Sequence, residues 1–362
     1  MNLRRPSAWR LVPLTGVVTL GTALPWFTSQ LMPDVFTPLL VLALALLILA
    51  PERLSRPEGA WLTVFSAFMI AAQQSSVPLS LGLLLVLLPL RRLLGAAAPL
   101  GRRGSLRAVA PPVMALAALV AVNIAAFRRV SPSPFGNVFL LARIIYDGPG
   151  MHVLLRDCPR TGWRLCTGLD DFPTTSDAFL WSPASPILQA GGHKAVSAEA
   201  DAIIFAALRA EPATELKAWL HNGLTQLGEF ATGDGLSPCP ATVAPWIARD
   251  FPGFEYATYA ASRQSNAQLK VPPWLLELHR AIVEAGVAAC LGVLLLGLRR
   301  GHLAAGFAAA VLLAILGNAL IAGGLSAPHD RYGSRVMLLA PIVALLGGVA
   351  LAGHRAAPPQ NT

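Results

Sequence analysis

From residue 303 to residue 325 the chain runs through 23 positions without one charged side chain. A helix needs about 20 mostly apolar residues to cross the hydrocarbon core of a bilayer, and the absence of water there forces every backbone group to be satisfied within the segment. Similar runs recur at residues 11–27, 36–50, 60–72, 77–90, 108–127 and 336–353, and at 281–298 with Glu284 as its one charge. The chain is 54% hydrophobic and 13% charged, with a mean hydropathy of +0.57. That is about half the charged fraction of ordinary soluble chains, which excludes an ordinary water-soluble globule. Disorder is excluded too, because the apolar residues come in uninterrupted blocks. The expected fold is an all-α polytopic membrane protein with about eight transmembrane helices. Segments 60–72 and 77–90 are short and separated only by Gln73, Gln74, Ser75 and Ser76, so they read as a helical hairpin or a kinked pair of half-spans.

The net charge of +9 suggests a polyanion partner until it is divided along the chain. Residues 128–279 hold 12 basic and 14 acidic side chains, whereas the remainder holds 16 basic and five acidic ones. The excess therefore flanks the apolar runs, where it orients helices; no nucleic-acid partner is expected. Arg4, Arg5 and Arg10 precede the first run, and Arg53 and Arg56 lie between the second and third. Arg91, Arg92, Arg102, Arg103 and Arg107 fill the fourth connection, Arg299 and Arg300 the sixth, and Arg355 follows the last run. Cytoplasmic loops collect Lys and Arg, so eight spans with both termini in the cytoplasm satisfy every cluster. The organisation expected is an N-terminal membrane region at 1–127, an extracytoplasmic domain at 128–279, and a C-terminal membrane region with a short tail at 280–362. The localisation expected is the bacterial inner membrane. The first thirty residues have a basic start but no small-residue cleavage pattern after Ala23, which favours an uncleaved first helix.

The 152 residues of the middle segment are enough for a domain with its own core. Asn137 can cap a helix ended by the Gly148, Pro149 and Gly150 turn, a second helix covers residues 198–210, and Pro212 can open a third. In the third, Leu216, Trp219, Leu220, Leu224 and Leu227 recur at three- and four-residue spacing and form one apolar face. Pro273 suits the first position of the re-entering helix, whose first turns carry Glu277, Arg280 and Glu284. Cys158 and Cys166 bracket seven residues in a compartment that permits disulfides, and are expected to pair, with Cys239 as an alternative partner for either. Cys290, inside a run, reads as an apolar filler. The His and Cys spacings match no zinc pattern, so no metal site is expected. No cofactor is expected, and dependence on a divalent metal is left open.

The topology brings few polar groups to the outer side. Asp34 lies in the first outer loop, and His329, Asp330, Arg331, Tyr332 and Arg335 fill the last. If the eighth helix starts early, Arg331 and Arg335 share a face at four-residue spacing and can grip a phosphate or a carboxylate. The alternative is that Asp330 pairs with an arginine while Tyr332 anchors the helix at the interface. Thr37 followed by Pro38 makes a better helix start than Asp34, which leaves Asp34 freer to act as a general base or a metal ligand. Asn123 and Asn318 lie within spans and read as glue between helices.

The stretches QLMPDVFTPLLVLAL, SPFGNVFLLARIIYDGPG and SAPHDRYGSRV resemble a family of uncharacterised bacterial multi-pass membrane proteins, over most of the chain. An acidic residue in an outer loop, short paired helices and a long extracytoplasmic region are also similar to the GT-C membrane glycosyltransferases, which take sugars from lipid-linked donors. That resemblance implies a transferase at the outer leaflet, with the bilayer and a polyprenyl-phosphate-linked sugar as partners, catalytic Asp34, and Arg331 and Arg335 on the donor phosphate. No DxD or ExD pair accompanies Asp34. The competing reading is a non-catalytic membrane protein whose extracytoplasmic domain binds a partner. A transporter is the weaker form of it, since it would be expected to show repeated halves and ionisable residues at mid-bilayer, where the spans offer only asparagine.

The topology is checked by reporter fusions. Those at Gly104 and Gly301 should report the cytoplasm and that at Gly192 the opposite side; a cytoplasmic Gly192 fusion would overturn the arrangement.

Overall fold

The computed structural model describes residues 8–96 and 99–353. Arg4, Arg5 and Arg355 of the terminal basic clusters lie outside the described residues. Every regular element among the described residues is helical. The N-terminal part comprises α1 (Ala8–Gly21), α2 (Leu24–Ser29), α3 (Phe36–Leu49), α4 (Arg56–Ala72), α5 (Ser76–Leu90) and α6 (Arg102–Phe127). The middle comprises α7 (Gly136–Tyr146), α8 (Pro149–Thr161), α9 (Ser176–Trp181), α10 (Pro186–Gln189), α11 (His193–Ala210), α12 (Pro212–Gly228), α13 (Pro240–Asp250) and α14 (Gly253–Ala261). The chain closes with α15 (Pro273–Arg299), α16 (Ala304–Asn318), α17 (Asp330–Met337) and α18 (Leu339–Gly353).

Four helical stretches are long and apolar enough to cross a membrane: Arg102–Phe127, Pro273–Arg299, Ala304–Gly323 and Asp330–Gly353. Pro33–Leu49 and Ser76–Leu90 are apolar but shorter. The pair α7 and α8 passes the same test only jointly and is bent by 97°. The first apolar run is broken at Thr22 and Ala23 into α1 and α2.

Two cores organise these helices. The larger joins α3, α4, α5, α6, α15, α16, α17 and α18, with α3 innermost: Leu40, Leu44, Ile48 and Leu49 have no accessible surface. Apolar side chains give no preference for a neighbouring helix over lipid, so close backbone approach through small residues holds such bundles together. Here α16 presents Ala305, Ala308 and Ala309, and a Cβ on Gly286 of α15 would fall 2.6 Å from the Pro341 nitrogen of α18. The outward faces of α6 and α15 stay apolar, with Val113, Val122, Leu291 and Leu295 exposed. That is the surface of a helix whose surroundings are lipid.

The smaller core is separate. Val138, Leu141 and Ile144 of α7 pack with Val153 and Leu154 of α8, Phe179 of α9, and Val196, Ala200, Ile203 and Ala207 of α11. A disulfide joins Cys158, near the end of α8, to Cys166. Buried Arg143 of α7 ties this core to α12, its guanidinium meeting Glu215 at 2.5 Å and Asp147 at 2.6 Å, while Asn222 of α12 donates to Asp147. Glu215 accordingly has two opposed influences: burial pushes its carboxyl up, and Arg143 draws it back down.

Local details depart from the sequence reading at three points. Asn137 does not cap α7, which begins one residue earlier; its amide donates instead to Ser197 and Asp201 of α11, so long-range packing outweighs a local cap. The chain before α3 turns helical at Pro33, which leaves Thr37 buried inside the helix rather than at its start. The apolar face of α12 is divided, with Leu216, Leu220 and Leu224 exposed while Trp219 and Leu227 turn to the bundle.

Candidate functional site

At the end of the bundle that carries the middle domain, four segments converge on one buried cation. Arg335, in the second turn of α17, has no accessible surface, and its Nη1 donates to the Asp34 carboxylate at 2.7 Å. Asp34 sits in the single helical turn Pro33–Val35 and is 3% exposed. The second terminal nitrogen, Nη2, donates to the Asn318 side-chain carbonyl oxygen at 2.9 Å and to the Ser75 hydroxyl at 3.2 Å. With its amide oriented to satisfy both neighbours, Gln73 donates to the Pro33 carbonyl and accepts from Arg335. Asn318 passes its own amide to the Tyr332 carbonyl at 2.6 Å, and the Tyr332 ring lies 5.0 Å from the guanidinium carbons of both Arg331 and Arg335. The polar break between α4 and α5 and the asparagine inside α16 thus serve one purpose, to supply acceptors to both terminal nitrogens of a buried cation, while its Nε has no partner among the described residues.

Immediately before α17 the chain is clamped to the middle domain. Gln226 of α12 donates to the His329 carbonyl and accepts from the His329 amide, each at 2.9 Å. Asp330 accepts from the Ala231 amide at 2.6 Å, and the Arg331 amide donates to Asp234 at 3.0 Å. The approach is so close at Gly333 that a Cβ there would overlap the Glu229 carbonyl oxygen, so no other residue fits without displacing that segment. The His329 ring meets Asp177 of α9 at 3.4 Å; the carboxylate raises the imidazole's affinity for a proton, and His329 lowers that of Asp177.

Beside this clamp opens a cavity of about 320 Å³, walled by Glu229, Phe230 and Thr232 after α12, Glu277, His279 and Arg280 of α15, and Asp330. Partial burial and the neighbouring Asp330 carboxylate hold the Glu229 carboxyl above the usual range. Arg280 lies over the Phe230 ring at 5.5 Å and donates to Glu284 at 3.3 Å. His279 is buried, with Nε2 3.1 Å from the Leu20 carbonyl and Nδ1 2.8 Å from the Thr232 hydroxyl. A carbonyl can only accept, so Nε2 carries the proton and the Thr232 hydroxyl donates to Nδ1.

Of the residues singled out in the sequence, Asp34 and Arg335 meet directly, Arg331 and Tyr332 stack beside them, and His329 and Asp330 face the middle domain. Asp330 alone of the six lines the cavity. Asp34 does not face open space, and the aspartate that pairs with an arginine is Asp34 rather than Asp330. Sequence reasoning missed Glu229, Gln226 and Asp177, whose partners lie roughly a hundred or more positions away and leave no local signal. Among the described residues no group of three or more His, Cys, Asp or Glu side chains is placed to hold a metal ion. Comparison of the chain with protein-family models, with curated proteins and with solved structures found no match.

The His329 contact makes docking of the last loop depend on pH. His329, raised above its ordinary 6.5, contributes fully below that value and less as pH rises through its folded pKa. Asp177, lowered from 3.8, contributes fully above that value and less as pH falls through its own. Hydrogen exchange in α9, corrected for intrinsic rates, should therefore be slowest between about pH 4 and 6.5 and faster at pH 8.5 by up to about five-fold, the range of a partly exposed pair. A His329→Gln variant should lose that dependence, and an unaltered profile would contradict the pairing.

Proposed function

We propose that the chain is an eight-span protein of the bacterial inner membrane, with residues 128–279 on the outer side, and that it is a GT-C-like glycosyltransferase acting at the outer leaflet. The observation that carries the reading is the charge-lined cavity at the junction of bundle and domain, which has room for the polar head of a substrate. The donor would be a sugar on a polyprenyl phosphate. An acceptor hydroxyl attacks the anomeric carbon, the bond from that carbon to the phosphate oxygen breaks, and the hydroxyl proton passes to a carboxylate.

Asp34, already committed to Arg335, is poorly suited to take that proton. Glu229 is better suited, because it lines the cavity without a committed cation partner in hydrogen-bond contact among the described residues, and partial burial and the neighbouring Asp330 raise its carboxyl above the ordinary value. Arg280, which also lines the cavity, suits the departing phosphate. A second reading, partner binding without catalysis, is favoured by α13 and α14, which bury no residue and leave Trp246, Phe251, Phe254 and Tyr256 exposed.

Lipid and glycan profiling of a deletion strain separates the two. Under the enzyme reading one envelope component lacks a sugar, wild-type protein restores it, and Glu229→Gln at equal membrane level restores it about 100-fold more slowly or worse, the range of a lost general base. An unchanged profile, or full restoration by Glu229→Gln, would reject that reading; the first result would favour partner binding.

A further inference from the structure

Helix α12 has two apolar sides, and the bundle uses only one. On that side the Trp219 indole donates to the Leu320 carbonyl at 2.9 Å. Gly223 admits the Leu320 side chain, and Cβ atoms on Gly323 and Gly324 would collide with Gln226 and Trp219. The helix therefore rests on the wide turn Ala319–Gly323 that ends α16. On the other side Leu216, Leu220 and Leu224, spaced every four residues, are 56%, 42% and 64% exposed. Lys217 and His221 flank this stripe and are exposed as well.

The height of α12 relative to a bilayer follows from what it touches. The stretch Ala304–Gly323 has 20 residues and rises about 1.5 Å per residue, so it matches the hydrocarbon thickness once, and its last turn stands at the boundary. Leu316 and Leu325, on either side of that turn, are themselves exposed to the surroundings of the bundle. A helix seated on this turn, with an uncovered leucine stripe next to the docked face and a cation beside the stripe, has the composition of an element lying in the interface plane.

We infer that α12 lies in the outer leaflet, with Leu216, Leu220 and Leu224 among the acyl chains and Lys217 level with the phosphates. The inference rests on the reading that α16 crosses the membrane. The middle domain is then held to the lipid surface as well as to the bundle, and the cavity that begins at Gly228 and Glu229, at the end of α12, opens at headgroup height.

The test uses full-length protein in phosphatidylcholine nanodiscs, with Cys239→Ser removing the exposed free thiol. Single environment-sensitive fluorophores are attached at Leu220→Cys, at Thr225→Cys on the exposed opposite side of α12, and at Leu295→Cys on the exposed face of α15. Quenching by nitroxide-labelled phosphatidylcholine and by aqueous iodide is then compared. The Leu220 label should emit to the blue of the Thr225 label and lose most of its fluorescence to the nitroxide lipid and little to iodide, with the reverse at Thr225. A Leu220 label quenched by iodide, or shielded from both agents as a second copy or a protein partner would shield it, overturns the inference. The Leu295 label distinguishes the sources of failure. Lipid quenching at Leu295 without it at Leu220 rejects the placement of α12 alone, and its loss at both rejects the membrane reading with it.

Discussion

The arrangement of the bundle turns on one guanidinium that has no access to solvent. Taking a charge out of water costs several kcal/mol per ion, which attraction to a counter-ion recovers only when geometry is good and the remaining donors find acceptors. Arg335 meets that demand at both terminal nitrogens, through Asp34, Ser75, Asn318 and Gln73, which come from segments far apart in the chain, and leaves only its Nε without a partner among the described residues. Because each acceptor is needed, the positions of the turn before α3, the break between α4 and α5, the end of α16 and the start of α17 are fixed together. Apolar packing cannot supply that register, since one face of Ala and Leu slides along another with little change in contact.

From this anchor the attachment of the middle domain follows. Arg335 sets where α17 starts, so it sets where His329 and Asp330 emerge, and those are the residues that Gln226, Ala231 and Asp177 bind. Gly333 removes the side chain that would keep the Glu229 segment away. The domain is linked in turn through Arg143 and Glu215, a buried pair between its own core and α12. The cavity has walls from the segment after α12, from α15 and from α17, so its shape depends on every link in this series. A site built between two bodies in this way is rigid only if the seam is rigid.

The sequence made some of this legible and hid the rest for physical reasons. Helical class followed from the uncharged runs, and the four-residue spacing of Arg331 and Arg335 placed both beside one helix face, where both stack on Tyr332. The close spacing of Cys158 and Cys166 pointed to a pairing that the fold contains. Asp34 was recognisable as an isolated carboxylate near the same end of the bundle, but whether such a group is free or paired depends on a residue 301 positions away. The α12 leucines had the right period for a helix, yet periodicity reports an apolar face without saying whether protein or lipid covers it. Glu229 had no signature, because the burial and the Asp330 carboxylate that raise its carboxyl arise only where distant segments meet.

The dependence of the structure on the Asp34 and Arg335 pair is measured most directly by a double-mutant cycle in detergent, comparing the unfolding free energies of Asp34→Leu, Arg335→Met and the combination. Each single change strands a buried charge and should cost about 3–5 kcal/mol, whereas the double removes both charges and should recover most of that loss. Two near-neutral single variants, or losses that simply add in the double, would contradict the claim that this pair organises the bundle.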